Sequence, residues 1–186
     1  TAALVEHLLR HSVRRGDFTL KSGKRSDWFI DAKQTTCRPD GMLLVADAAT
    51  YLSGVRDYRG FIDGQGWRHG VAHGSDLALQ LAVNPAIDRA QVDTLLAAVR
   101  SQVVAADGHA YIHGEPGRLA RVVYFAAQRD LHDAKYWDAW LKEIASPGPL
   151  KDWGFAFGSE AGLARLHDTR SFLQALLALT VRGEDA

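Results

Sequence analysis

The sequence predicts a mainly α fold of stacked antiparallel helices, preceded by a small N-terminal helix and a two-strand hairpin. Three observations predict it. Apolar residues recur at helical spacing in segment after segment beyond residue 56. Strand-like runs lie before that point and almost vanish after it. Short breakers, Asn84-Pro85 and Asp107-Gly108 among them, separate the periodic segments, as links between antiparallel neighbours do. The result reads as a HEAT-like array, in which repeats share apolar periodicity without a strict sequence repeat.

Taken in order, residues 3–15 place Leu4, Leu8, Leu9 and Val13 on one helical face, and Gly16-Asp17 ends it. Residues 18–23 and 27–33 read as two short strands around a Ser-Gly-Lys-Arg-Ser turn. Pro39 suits the first turn of a helix over about 40–56, which carries Leu44, Val45, Ala48 and Leu52. Residues 67–83 form the next helix and 87–104 another, the latter with a stripe of Val92, Leu95, Leu96, Val99 and Val103. Two more cover 117–129 and 133–145, the second rich in Tyr136, Trp137 and Trp140. Residues 146–159 hold two Pro and three Gly and read as a loop. Ser159 caps a last helix, 160–180, with Leu163, Leu166, Phe172, Leu173, Leu176 and Leu177 on its apolar side.

Composition bounds the function. The 186 residues are 47% hydrophobic, enough for a core, and 22 basic residues balance 22 acidic ones. That balance argues against a nucleic-acid partner. The single cysteine, Cys37, excludes an intrachain disulfide and a four-cysteine zinc site. No apolar run approaches the ~20 residues of a membrane span, and the stretch TAALVEHLLRHSVRR lacks a signal-peptide layout. A cytoplasmic protein is the expectation.

The run Gly-Asp-Phe-Thr-Leu-Lys-Ser-Gly-Lys-Arg-Ser-Asp-Trp-Phe-Ile-Asp, within residues 14–49, resembles the N-terminal segment of bacterial orotate phosphoribosyltransferases. In that family the region is a hood beside the active site. The resemblance implies that Lys21 meets the phosphoribosyl donor and that Phe29 and Ile30 lie at the orotate ring, with Ile30 a loose match to an aromatic. The family's phosphoribosyl loop, an acidic pair followed by Thr-Thr/Ser-Gly-Gly, has no counterpart in this chain, so complete transferase activity is not expected. Residues 57–183 resemble a second group, the bacterial domain-of-unknown-function family twenty-seven eighty-five. That likeness is carried by residues 57–77, by His-Gly-Glu-Pro-Gly-Arg-Leu-Ala-Arg at 113–121, by Trp140-Leu141 and by 169–176. It implies an all-helical fold and matches the family's C-terminal half. The chain therefore reads as a composite of an incomplete segment, 1–49, and a helical domain, 50–186, as a fusion, a rearranged reading frame or a chimera would be. The N-terminal piece, or a homodimer, would cover the apolar end of such an array.

The sharpest chemistry lies in Trp67-Arg68-His69-Gly70-Val71-Ala72-His73-Gly74-Ser75-Asp76. On a helix, His69, His73 and Asp76 share a face, and two imidazoles with a carboxylate suit zinc, iron or manganese. The alternative is a structural brace between helices. His109 and His113, followed by Glu115, repeat the four-residue spacing in a Gly- and Pro-bounded loop that could fold over the 67–77 segment. Gly60, Gly64 and Gly66 read as a tight turn with positive φ, anchored by a buried ion-pair network of Asp57, Arg59 and Asp63 near Trp67. No catalytic residue is assigned. The leading function is a non-catalytic helical-repeat binding or scaffold module for a protein or small molecule. Its alternatives are a metal-dependent, hydrolase-like enzyme at His69, His73 and Asp76, and residual orotate or phosphoribosyl binding at the N-terminal segment.

Overall fold

The computed structural model describes residues 2–19, 25–30 and 45–183; for residues 2–4, 7, 8 and 30 it describes the backbone. The described chain is mainly α. Helix α1, Ala2–His11, leads directly into β1, Val13–Thr19, which pairs antiparallel with β2, Arg25–Ile30. The register runs from Val13 opposite Ile30 to Thr19 opposite Arg25, with an irregularity between Arg15 and Phe18. Val13 thus belongs to the strand and not to the first helix, and both strands begin earlier than their alternation suggests. Pro39 and Cys37 lie outside the described residues.

Helix α2, Val45–Gly54, buries Val45, Ala48, Ala49 and Leu52, one stripe at helical spacing. Its C-terminal carbonyls are met by Arg56, whose Nη1 donates to Ser53 O and Val55 O. A small hairpin follows that sequence periodicity does not reveal: β3, Gly60–Ile62, pairs antiparallel with β4, Gly66–Arg68. Three-residue strands are too short to show alternation, but Asp63-Gly64 is a hairpin-turn signal. The expected positive φ is found at Gly60, Gly64 and Gly66.

Helix α3, Gly70–Ala82, starts three residues later than expected because Trp67 and Arg68 are in β4. Its C-terminus is clasped by Arg129, which donates to Ala82 O and Ile87 O. Helix α4, Arg89–Ser101, opens with a reciprocal cap between Asp88 and Gln91. Helix α5, Glu115–Ala127, follows a left-handed Gly114 and has Pro116 in its first turn. Helix α6, Ala134–Ile144, is capped by Asp133 and buries Trp140 and Ile144. The Pro/Gly-rich stretch read as a loop contains a 3-10 turn, Trp153–Gly158. It is seated on the last helix, α7, Glu160–Gly183, where Ala156 packs against Gly162 so closely that a Cβ at Gly162 would fall 2.5 Å from the Ala156 carbonyl oxygen.

One apolar core runs from Val45 to Phe172. Leu52, Leu81, Ile87, Leu95, Leu96, Leu119 and Phe172 are its largest fully buried apolar side chains along with Tyr111. Helix α2 packs on α3 and α4, α3 on α5, and α5 on α7. Among the described residues no helix is long and apolar enough to cross a membrane.

Candidate functional site

The β3–β4 hairpin, the start of α3 and the segment before α5 converge around Trp67. Antiparallel pairing sets Phe61 opposite Trp67, and their rings meet edge to face at 5.2 Å. His69, two residues on, stacks on the indole at 4.9 Å, and His113 meets it edge-on at 5.7 Å. Trp67 remains 56% exposed and Phe61 47%. An indole held by three rings and still open to solvent is an unusual use of a large apolar side chain.

The arrangement is fixed from beneath by Glu115. His69 is the N-cap of α3 yet makes no side-chain cap bond. Its Nε2 instead donates to Glu115 Oε1 at 2.9 Å, with the two side chains only 11% and 3% exposed. The other oxygen, Oε2, accepts from the His113 backbone N–H at 3.0 Å. One buried carboxylate therefore ties a ring on the hairpin side to the backbone that carries the second ring. It sits in the first turn of α5, where the helix dipole favours negative charge. At Gly60, φ is +69° and a Cβ would fall 1.8 Å from His113 Cδ2, so the hairpin backbone lies directly against that imidazole.

His73 is one turn into α3, exposed, with its ring 6.1 Å from that of His69; His113 is 6.3 Å from His69. Asp76 does not join them. It forms an ion pair with Arg118 of α5 at 2.5 Å. Among the described residues no group of three or more His, Cys, Asp or Glu side chains is disposed to hold a metal ion. The expected turn network also differs: Arg59 grips Asp57 through two hydrogen bonds of 2.7 and 2.6 Å, but both side chains are about half exposed and Asp63 is exposed and outside the pair. The Arg59 hydrogen bond pulls the Asp57 carboxyl down to about 2. At the surface, water competes for both ions, so no buried network forms.

A second buried carboxylate supports the segment that delivers His113. Asp168 of α7 is fully buried, and its two oxygens accept from Tyr111 N–H at 2.8 Å and Ala105 N–H at 3.4 Å. Burial pushes its carboxyl up to about 6, against those two hydrogen bonds, which lower it. His167 Nε2 donates to the Tyr111 carbonyl at 3.0 Å. Residues 105–111 are thereby pinned to α7.

Of the N-terminal residues, Phe29 is on β2, half exposed, with its ring 5.7 Å from Phe18. Lys21 and the Ile30 side chain lie outside the described residues. Sequence reasoning found His69, His73 and Trp67 but did not give Glu115 or Asp168 their roles. The available signals were Glu115 beside Pro116 at a helix start and an acid within the apolar side of the last helix.

Two comparisons with known proteins match parts of the chain. Residues 33–178 match a family described as a protein of unknown function, DUF2785. The orotate phosphoribosyltransferase of Bradyrhizobium diazoefficiens is 40% identical over 63 residues, which are 34% of this chain and 33% of that protein. The match thus covers about a third of that curated relative. No solved structure matches the chain.

Proposed function

We propose, from the premise that this chain belongs to the DUF2785 family, that it is a non-catalytic binding module whose recognition face is Trp67 with Phe61, His69, His73 and His113. The observation that carries this reading is the open indole of Trp67, clamped by three rings and locked from below through the His69–Glu115 bond. The arrangement is preorganised: rigid aromatics offer contact area at low entropic cost, and the exposed imidazole adds directional hydrogen bonding. A ligand with a flat or apolar group and an adjacent hydrogen-bond acceptor suits it. The helix order supports a repeat-like scaffold, since α3 packs on α5 and α5 on α7, two steps along the chain. Ligand-observed NMR with an aromatic fragment library tests the reading. Fragments should bind the wild type and lose their signal with Trp67→Ala. An absence of binders, or binders indifferent to that change, contradicts it.

A second reading is a divalent metal near His69 and His73; their rings lie 6.1 Å apart and are not disposed as ligands in this arrangement, so binding would require His69 to release Glu115 and the imidazoles of His73 and His113 to turn inward. Asp76, held by Arg118, is not in that donor set. Metal content of the purified protein by mass spectrometry, with His73→Ala beside it, decides this. The partial likeness to an orotate phosphoribosyltransferase supports residual nucleotide binding at Lys21 and Phe29. A thermal shift with orotidine monophosphate that vanishes in Lys21→Ala tests it.

A further inference from the structure

A second cavity, built from other residues, lies between the 3-10 turn and α7. It is a half-open groove of about 410 Å³, within the range of small-molecule sites. Its walls are mainly apolar, from Trp153, Phe157, Leu166 and Leu173. They are also fixed. Trp153 Nε1 donates to Ala145 O at 3.0 Å, and Ala156, fully buried against Gly162, seats the turn on the helix. Phe157 nevertheless stands 70% exposed at this cavity, so the turn is anchored while its apolar rim is left uncovered.

Two polar groups line the same space. Arg170 is exposed and makes no hydrogen bond or ion pair among the described residues. Thr169 is 3% exposed as a residue; its hydroxyl makes no hydrogen bond among the described residues and keeps some contact with solvent. A solvent-touching hydroxyl beside an unpaired guanidinium on the same cavity wall gives an acceptor two donors to meet. A carboxylate answers both: guanidinium and carboxylate match in shape and charge. The rest of the ligand must be apolar and small enough for the cavity.

We infer that this cavity binds a small apolar carboxylate, its hydrocarbon body against Trp153 and Phe157 and its carboxylate on Arg170 and Thr169. The test uses 2-naphthoate as the probe, with the neutral 2-naphthamide as control, titrated against the full chain by saturation-transfer NMR. Saturable naphthoate binding is expected, weakened at least fivefold by Arg170→Gln and also by the volume-conserving Thr169→Val. The amide should bind more weakly and be indifferent to Arg170→Gln. Because Arg170 is exposed, that variant should keep its circular dichroism and melting temperature. Trp67→Ala should leave naphthoate binding unchanged, which separates this site from the recognition face above. No saturable binding, or naphthoate binding equal in the wild type and Arg170→Gln, overturns the inference. So does a concentration-dependent dimer that Phe157→Asp dissociates, because a second copy would then occupy the cavity.

Discussion

Replacing Glu115 with alanine removes two hydrogen bonds in one step. His69 Nε2 loses its acceptor at 2.9 Å, and the His113 N–H loses its own at 3.0 Å. Hydrogen bonds to a charged group contribute about 1.5–3 kcal/mol each, so the pair is worth about 3–6 kcal/mol. Water reaching the partly exposed His69 recovers some of that, and the expected loss is about 3–4 kcal/mol. For a chain of this size each kcal/mol moves the melting temperature by about 2–4 °C, so a fall of roughly 10 °C is expected. Urea unfolding followed by circular dichroism measures the free energy, with the slope unchanged if the folded state stays compact. Glu115→Gln keeps the shape and one good acceptor and should lose about half as much. If Glu115→Ala unfolds within ~0.5 kcal/mol of the wild type, the carboxylate is not the lock described and the rigidity argued for the Trp67 face fails.

Three other outcomes follow from the same geometry. The Asp168 carboxyl is raised from 3.8 to about 6 in the folded chain, so its contribution is fully present below about pH 3.8 and lost as pH rises through about 6; pH-dependent urea midpoints should show that fall in the wild type and not in Asp168→Asn. Gly60→Ala should cost at least about 1–2 kcal/mol from positive φ alone, and it should displace the His113 ring, read as a shift of the His113 imidazole resonances, because its Cβ would fall 1.8 Å from Cδ2. Asp76→Ala breaks a partly exposed ion pair with Arg118 and should change stability by less than about 1 kcal/mol in thermal unfolding; a large loss that depends on added zinc would instead return Asp76 to a metal site.

The helices were legible because burial leaves a 3.6-residue signature. The stripe Val92, Leu95, Leu96, Val99 becomes the buried face of α4, and the segment with Leu166 and Phe172 becomes α7. Boundaries moved where local chemistry overrode the stripe: Val13 fits a helical face yet pairs with Ile30. The site was half legible. His69 and His73 stood out by spacing, and their rings do meet. Their partner could not be read by spacing, because Glu115 comes 46 residues later and is brought in by the packing of α3 on α5. Asp76 lies at the right interval from His73, but Arg118, 42 residues away, claims it. Helical periodicity predicts which residues share a face, whereas the partner across that face is set by tertiary packing.

The account stands on Trp67 as the point of first contact. Titration of the uniformly ¹⁵N-labelled chain with a fragment hit, read in the indole N–H region, addresses that directly. The five tryptophans give five side-chain signals, assigned by single substitution. The prediction is that the Trp67 indole resonance moves first and furthest, and that Glu115→Ala weakens the response. If Trp67 stays still while a fragment saturates the chain at another tryptophan, the recognition face is elsewhere.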